Sequence, residues 1–206
     1  MKHSLFITFE GPEGGGKTTQ IELLRKYLSD IGLNVLVTRQ PGGDPVGAEL
    51  RKILLTIGRE RVTPRAELLM MMADRAQSVE TIIGPHLALG GVVICDRYVD
   101  SSIAYQGAGR GIDQNWIDTF NYYATSGLLP AITFLLDIDP AVGIARQNER
   151  NLMELEDSSF HTRVRESYLR LASTFPNRFQ VIDAASSIDL VHEQIKAIAF
   201  EALQAL

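Results

Sequence analysis

Gly11-Pro12-Glu13-Gly14-Gly15-Gly16-Lys17-Thr18 satisfies the pattern G-x-x-x-x-G-K-[ST]. Glycines let the backbone curl so that several N–H groups face phosphate oxygens, and the loop opens a helix whose N-terminus favours anions. Lys17 would reach the outer phosphates and Thr18 would place its hydroxyl on Mg²⁺. The flanks suit this role. Leu5–Phe9 is a short apolar, β-prone run, and Gln20–Leu28 carries Ile21, Leu24 and Leu28 on one helical face. The chain therefore reads as one that binds a nucleotide here.

A second group of residues follows. Val92-Val93-Ile94-Cys95-Asp96 is an apolar run ending in an acid, and such a carboxylate can hold a Mg²⁺ shell across from Thr18. Asp96 is followed by Arg97-Tyr98, not by the second acid that positions water in ATP-hydrolysing motors. The planar fork of an arginine binds phosphate bidentately, so Arg97 suits a second, phosphate-bearing substrate. The plainer alternative is that Asp96 and Arg97 pair with each other. Arg75 lies within a long helical run from Arg65 and, taken alone, would be a surface arginine. Ser101 to Gln106 offers hydroxyls, a phenol and an amide close together. That set can read a base edge and a sugar, or it is a polar helix flank.

The elements that would position these groups alternate. Strands are predicted at Leu5–Phe9, Asn34–Thr38, Val92–Cys95, Ile132–Leu136 and Phe179–Ile182. Helices are predicted at Lys17–Ile31, Val46–Thr56, Arg65–Leu89, Gln114–Thr125, Pro140–Asn148, Ser159–Ser173 and Ile188–Leu203. Alternation with near-continuous apolar strands means an α/β protein, a five-stranded parallel sheet covered by helices on both faces. Such sheets bind ligands beyond the carboxyl ends of their strands, which selects the phosphate loop, Arg39–Gly43, Asp96–Tyr98, Asp137–Asp139 and Asp183–Ala185. The acidic stretch Glu149–Ser158 is either a flap or an ordinary surface loop.

The 206 residues are expected to form one domain. No apolar run approaches the roughly 20 residues of a membrane span, and the N-terminus enters the first predicted strand with no room for a targeting peptide. Cys95 is the only cysteine. It is expected to be a buried strand residue in a cytoplasmic protein. A net charge of −5 gives no global field for nucleic acid, so nucleotides must be held by backbone amides and individual arginines.

Five fragments in register then make the sequence resemble the bacterial thymidylate kinases. They are Phe9-Glu10-Gly11, Gly16-Lys17-Thr18-Thr19, Thr38-Arg39-Gln40-Pro41-Gly42-Gly43, Asp96-Arg97-Tyr98 with Ser102 and Ala104-Tyr105-Gln106-Gly107, and Phe160-His161 followed by Arg163-Val164-Arg165. The resemblance implies a three-layer P-loop nucleoside monophosphate kinase fold and phosphoryl transfer from Mg·ATP to dTMP. It implies that Gly11 to Thr18 cradle ATP, that Lys17 and Arg97 serve the transferring and accepting phosphates, and that Asp96 supports the metal. Arg75 would meet the thymine carbonyl, with Ser102, Tyr105 and Gln106 on base and sugar and Glu13 facing the dTMP sugar or phosphate. Arg150 and Arg146 would be the arginines of a flap at about 147–158, with Arg146 closer to the adenine. The resemblance also implies a homodimer, with the helix from Arg65 and the segment Ile112–Tyr123 supplying apolar surface; the sequence alone permits a monomer too.

Three positions depart from the family pattern. Gln40 replaces the usual glutamate, Met71 stands where relatives place a phenylalanine that stacks on thymine, and Leu152 aligns with another flap arginine. The competing readings are a kinase for another deoxynucleotide or a deoxynucleoside, and a nucleotide-driven switch. A switch calls for Asn-Lys-x-Asp or a second acid after Asp96, and the sequence has neither.

Overall fold

The computed structural model describes residues 4–56, 62–146 and 155–205. Strands β1 (Leu5–Glu10), β2 (Val35–Arg39), β3 (Val92–Asp96), β4 (Ile132–Asp137) and β5 (Phe179–Asp183) form one sheet in the order β2-β3-β1-β4-β5. All neighbours run parallel. From central β1 the chain first builds one side of the sheet and then returns to build the other. The end of β1 is thus where the winding reverses, the place where such sheets bind ligands. The register aligns the strand tips, with both Phe9 and Arg39 opposite Asp96.

Alternation along the strands divides the core. Ile7, Phe9, Ile94, Phe134 and Leu136 face helix α1 (Lys17–Asp30) and helix α9 (Ile188–Gln204), meeting Leu24, Leu28 and Ile195. Phe6, Val93 and Cys95 face the opposite layer with Val79, Ile83 and Tyr98. On the same side Leu135 meets Phe160, Val164 and Tyr168 of α8 (Ser158–Thr174). These side chains are buried, and their removal from water holds both helical layers to the sheet. Cys95 is fully buried.

Most predicted elements are observed within one or two residues of their expected ends. Helix α2 (Pro45–Leu55) starts at an Asp44 cap followed by proline, the preferred pairing at a helix N-terminus. The helices α6 (Gln114–Thr125) and α7 (Pro140–Ala145) are likewise capped by Asp113 and Asp139. Helix α7 stops at Ala145, before the Asn148 expected, with Arg146 already in a turn and 147 and 148 outside the described residues. Two further regions differ in kind from expectation. The single helix predicted from Arg65 to Leu89 is α3 (Pro64–Ser78), a π turn at Val79–Ile83 and α4 (Gly84–Ala88). After β3 the chain forms α5 (Val99–Ser102) and a π-helical segment at Ile103–Gly109, where no element was predicted.

Candidate active site

The phosphate loop joins β1 to α1. Gly11, Gly14 and Gly16 have φ of 130°, 71° and 81°, a region closed to most side-chain-bearing residues. Gly16 caps α1 without any side chain, whereas the Asp44 carboxylate accepts from Val46 N and Gly47 N at α2. The first amides of α1 therefore suit an anion. Lys17 is buried and donates from Nζ to the carbonyls of Gly11 (3.0 Å) and Pro12 (2.8 Å). Burial, followed by the charge of Arg97, lowers its ammonium pKa. The loop rests on α7 backbone to backbone. A Cβ on Gly14 would lie 1.9 Å from the Gly143 carbonyl oxygen, and a Cβ on Gly143 would lie 2.1 Å from that of Glu13.

Arg97 follows the tip of β3 in the left-handed region, φ 68°, a strained conformation for an arginine. The turn sends its guanidinium back over the phosphate loop. Nη1 donates to Gly11 O (3.2 Å) and Tyr168 Oη (3.2 Å), and the guanidinium lies over the Tyr105 ring at 4.9 Å. Nη2 sits 2.8 Å from Glu13 Oε1 as an ion pair and is not aligned for a hydrogen bond. Tyr105 also donates to Glu13 Oε1, at 2.8 Å. Burial alone would raise the Glu13 carboxyl, but Arg97 and then Lys17 outweigh it and hold the pKa at about 2. Arg97 thus pairs with Glu13 and not with Asp96, whose Oδ1 is buried without a partner.

Glu10 supports this junction from below. It is fully buried, accepting from Tyr98 N (2.7 Å), Ser101 Oγ (2.6 Å) and Tyr168 Oη (2.7 Å). Burial, and then the neighbouring charge of Asp100, raises its pKa. Asp100 is itself paired with Arg178, whose Nη2 lies 2.8 Å from Oδ1.

Beyond Arg97 a second pocket runs between α3 and the π segment, lined in part by Met71, Arg75, Ser102, Tyr105 and Gln106. Arg75 is 1% exposed, so it is no surface residue. It donates to Gln40 Oε1 (2.9 Å), Ser102 Oγ (3.0 Å), Tyr98 O (2.9 Å) and Asn121 Oδ1. Its neighbour Asp74 is also buried, with one oxygen accepting from Gly42 N (2.8 Å) and the other unpartnered. Burial raises the Asp74 carboxyl to about 6. Glu13, Gln40, Arg51 and Arg97 line both this pocket and the phosphate-loop cavity, which also takes in Thr18, Arg39, Asp96 and Arg146. Arg146 donates to Ala184 O (3.0 Å).

The described residues predicted for the site thus converge on two adjoining cavities. Arg150 and Leu152 lie outside the described residues, as do residues 147–154 of the flap predicted at about 147–158; its last residue, Ser158, opens α8. Sequence reasoning passed over four contributors. Arg51 lies inside the helix predicted over Val46–Thr56 and carries no signal of its own in the sequence. Glu10 is an acid that ends an apolar strand, and that is the signal it offers. Tyr168 reads as core by helical spacing, and nothing in its position announces the hydroxyl. Asn121 gives no signal at all.

A glycine-rich phosphate cradle at the sheet's winding reversal, sharing an arginine wall with a second pocket, is the arrangement of the P-loop nucleoside monophosphate kinases. Relatives narrow the class. The family model described as thymidylate kinase matches residues 9–195. The chain is 42% identical to a thymidylate kinase of Exiguobacterium sp. over 97% of this chain and 96% of the relative. It is 48% identical to one of Bifidobacterium longum subsp. infantis over 94% and 84%. The crystal structure of thymidylate kinase from Ehrlichia chaffeensis matches with a TM-score of 0.80 at 37% identity, covering 96% of this chain and 99% of that one. The chain belongs to the thymidylate kinase family.

Proposed function

We infer that the chain transfers the terminal phosphoryl group of ATP to the 5′-phosphate of dTMP, giving dTDP and ADP. The position of Arg97 carries this reading. It stands between a phosphate cradle and a pocket whose wall bears Arg75, Ser102 and Gln106, where it can hold the acceptor phosphate facing the donor. An acceptor phosphate oxygen, already anionic, attacks the γ-phosphorus. The bond to the β–γ bridging oxygen breaks, and ADP leaves with its electron pair. No general base is needed, so the protein's work is alignment and neutralisation of spreading charge.

Lys17 would release the Gly11 and Pro12 carbonyls for the transferring phosphate. Glu13 keeps Arg97 oriented and would face the acceptor's sugar or phosphate. Arg75 donates one hydrogen of Nη2 to Tyr98 O, leaving the second for a keto oxygen of the base. Ser102 and Tyr105 would contact base and sugar, Met71 would pack on the ring, and Arg146 would serve the adenine side. We assign the flap role to Arg150 on the resemblance alone.

Thr18 and Asp96 fit Mg²⁺. One hydroxyl and one carboxylate with a buried, unpartnered oxygen match an ion held largely by nucleotide phosphates. Bound there, the ion would add positive charge against the donor phosphates.

A coupled ADP-release assay with Mg·ATP and dTMP, dUMP, dCMP, dGMP or thymidine tests the reading. The highest kcat/KM is expected for dTMP, with weaker use of dUMP. Turnover without acceptor, or only with thymidine or a purine nucleotide, would sink it.

We also infer a homodimer through α3 and α6. Leu69, Trp116 and Tyr123 are 54%, 57% and 85% exposed, and Trp116 stacks on Phe120 at 5.6 Å along the same helix. These residues form an apolar surface of the kind that partners cover.

A further inference from the structure

Gln106 lines the acceptor pocket and is almost fully buried. Its Nε2 donates to Glu67 Oε1 at 2.8 Å. A carboxylate accepts hydrogen bonds and has none to give, so this contact decides which way the amide faces. The nitrogen lies toward Glu67, and the carbonyl oxygen must point the other way. Glu67 is buried in the first turn of α3 and is held in turn. Arg110 Nη2 lies 3.2 Å from its Oε2, while Nη1 pairs with Glu156 at 2.8 Å. The Arg110 guanidinium lies over the Phe160 ring at 4.8 Å.

We propose that Glu67, fixed by Arg110, is a specificity-determining positioning residue: it commits Gln106 to present a carbonyl oxygen to the pocket, which selects 4-keto over 4-amino pyrimidine nucleotides. The proposal rests on the reading of dTMP as acceptor. A 4-keto pyrimidine offers an N3–H to the Gln106 oxygen and a keto oxygen to Arg75. A 4-amino pyrimidine reverses both. Its N3 lone pair would face the Gln106 oxygen, and its amino group would face a guanidinium. Rotating the Gln106 amide would rescue the first contact only by turning its oxygen onto the Glu67 carboxylate, which leaves buried acceptors facing each other. Glu67 touches no substrate and acts through Gln106.

The test compares kcat/KM for dTMP and dCMP in the parent, Glu67→Gln, Gln106→Leu and the double variant. A glutamine at 67 still accepts from Arg110 but can also donate, so the Gln106 amide is free to turn. Glu67→Gln is expected to lower the dTMP-to-dCMP ratio roughly tenfold or more, with KM for ATP unchanged. In the Gln106→Leu background the same substitution should leave the ratio within about twofold, since contacting residues are coupled. A ratio unmoved by Glu67→Gln, or moved equally in both backgrounds, overturns the proposal. If Glu67→Gln does not fold, NOEs in the dTMP-bound parent decide the matter. Gln106 amide protons close to the Glu67 side chain support it, and the same protons close to the thymine ring overturn it. A parent that does not favour dTMP over dCMP overturns the acceptor reading and this proposal with it, whereas an unmoved ratio in a dTMP-selective parent overturns the proposal alone.

Discussion

Asp74, the buried neighbour of Arg75, illustrates how burial constrains a single group. One carboxylate oxygen ties down the Gly42 amide, and the other is sealed from water without a donor. Asp44 adds repulsion, while Arg75 and Arg51 only partly offset the burial. An unfolded aspartate releases its proton near 3.8, whereas folded Asp74 keeps it until about 6. The folded state therefore binds more protons in this window, and the stability that protonation confers is lost as pH rises through about 6. Asp74→Asn retains the bond to Gly42 and cannot ionise. Its stability relative to the parent should grow by on the order of 2–3 kcal/mol from about pH 4 to about pH 7, read from urea unfolding at each pH. A difference that stays flat with pH would rule this out. Residues of this kind mark the boundary of what a sequence discloses. The placement of Lys17, Thr18, Asp96 and Arg97 around one cavity was legible because fixed spacing from a glycine loop or a strand end sets where they stand. Arg75 needed the resemblance, since its burial depends on Gln40, on Tyr98 and Ser102, and on Asn121 arriving from three separate segments.

At the level of elements, the strands and most helices were legible because apolar periodicity, aspartate caps and Pro at N1 agree with one another. The segment Val99–Gly109 was not. Its π-helical course shifts the phase of the apolar positions away from the usual helical repeat, yet it is what delivers Tyr105 and Gln106 to the pocket. The contact between the phosphate loop and α7 was equally invisible, because it joins two backbones. Placing a methyl group on Gly143 would force it onto the Glu13 carbonyl. Gly143→Ala should therefore destabilise the fold by about 1–3 kcal/mol. It should also raise KM for ATP by more than it changes KM for dTMP, because the displaced loop is the proposed donor cradle. Thermal melts and initial rates check both. An unchanged KM for ATP in a folded variant would mean that the loop absorbs the methyl elsewhere.

Across the whole molecule, chemistry gathers at one end of the sheet while the exposed apolar surface of α3 and α6 lies to the side. Glu67 belongs to α3, the same helix that carries exposed Leu69, so the proposed association surface and the proposed device for acceptor recognition share one element. Sedimentation equilibrium should give a mass near twice 22.8 kDa at micromolar concentration. Trp116→Glu combined with Tyr123→Glu should return it to the monomer, because charge is disfavoured at the core of such a patch. A parent that sediments as a monomer would remove the dimer. The paired glycines of the phosphate loop and α7 carry a different kind of consequence, one for descent. The atom that blocks a side chain at position 14 is a carbonyl oxygen, which every amino acid possesses, and the same holds in the other direction at position 143. No second substitution can make room for the first. Lineages that retain this contact are thus held to glycine at both places, with no neutral path by which the two could drift together.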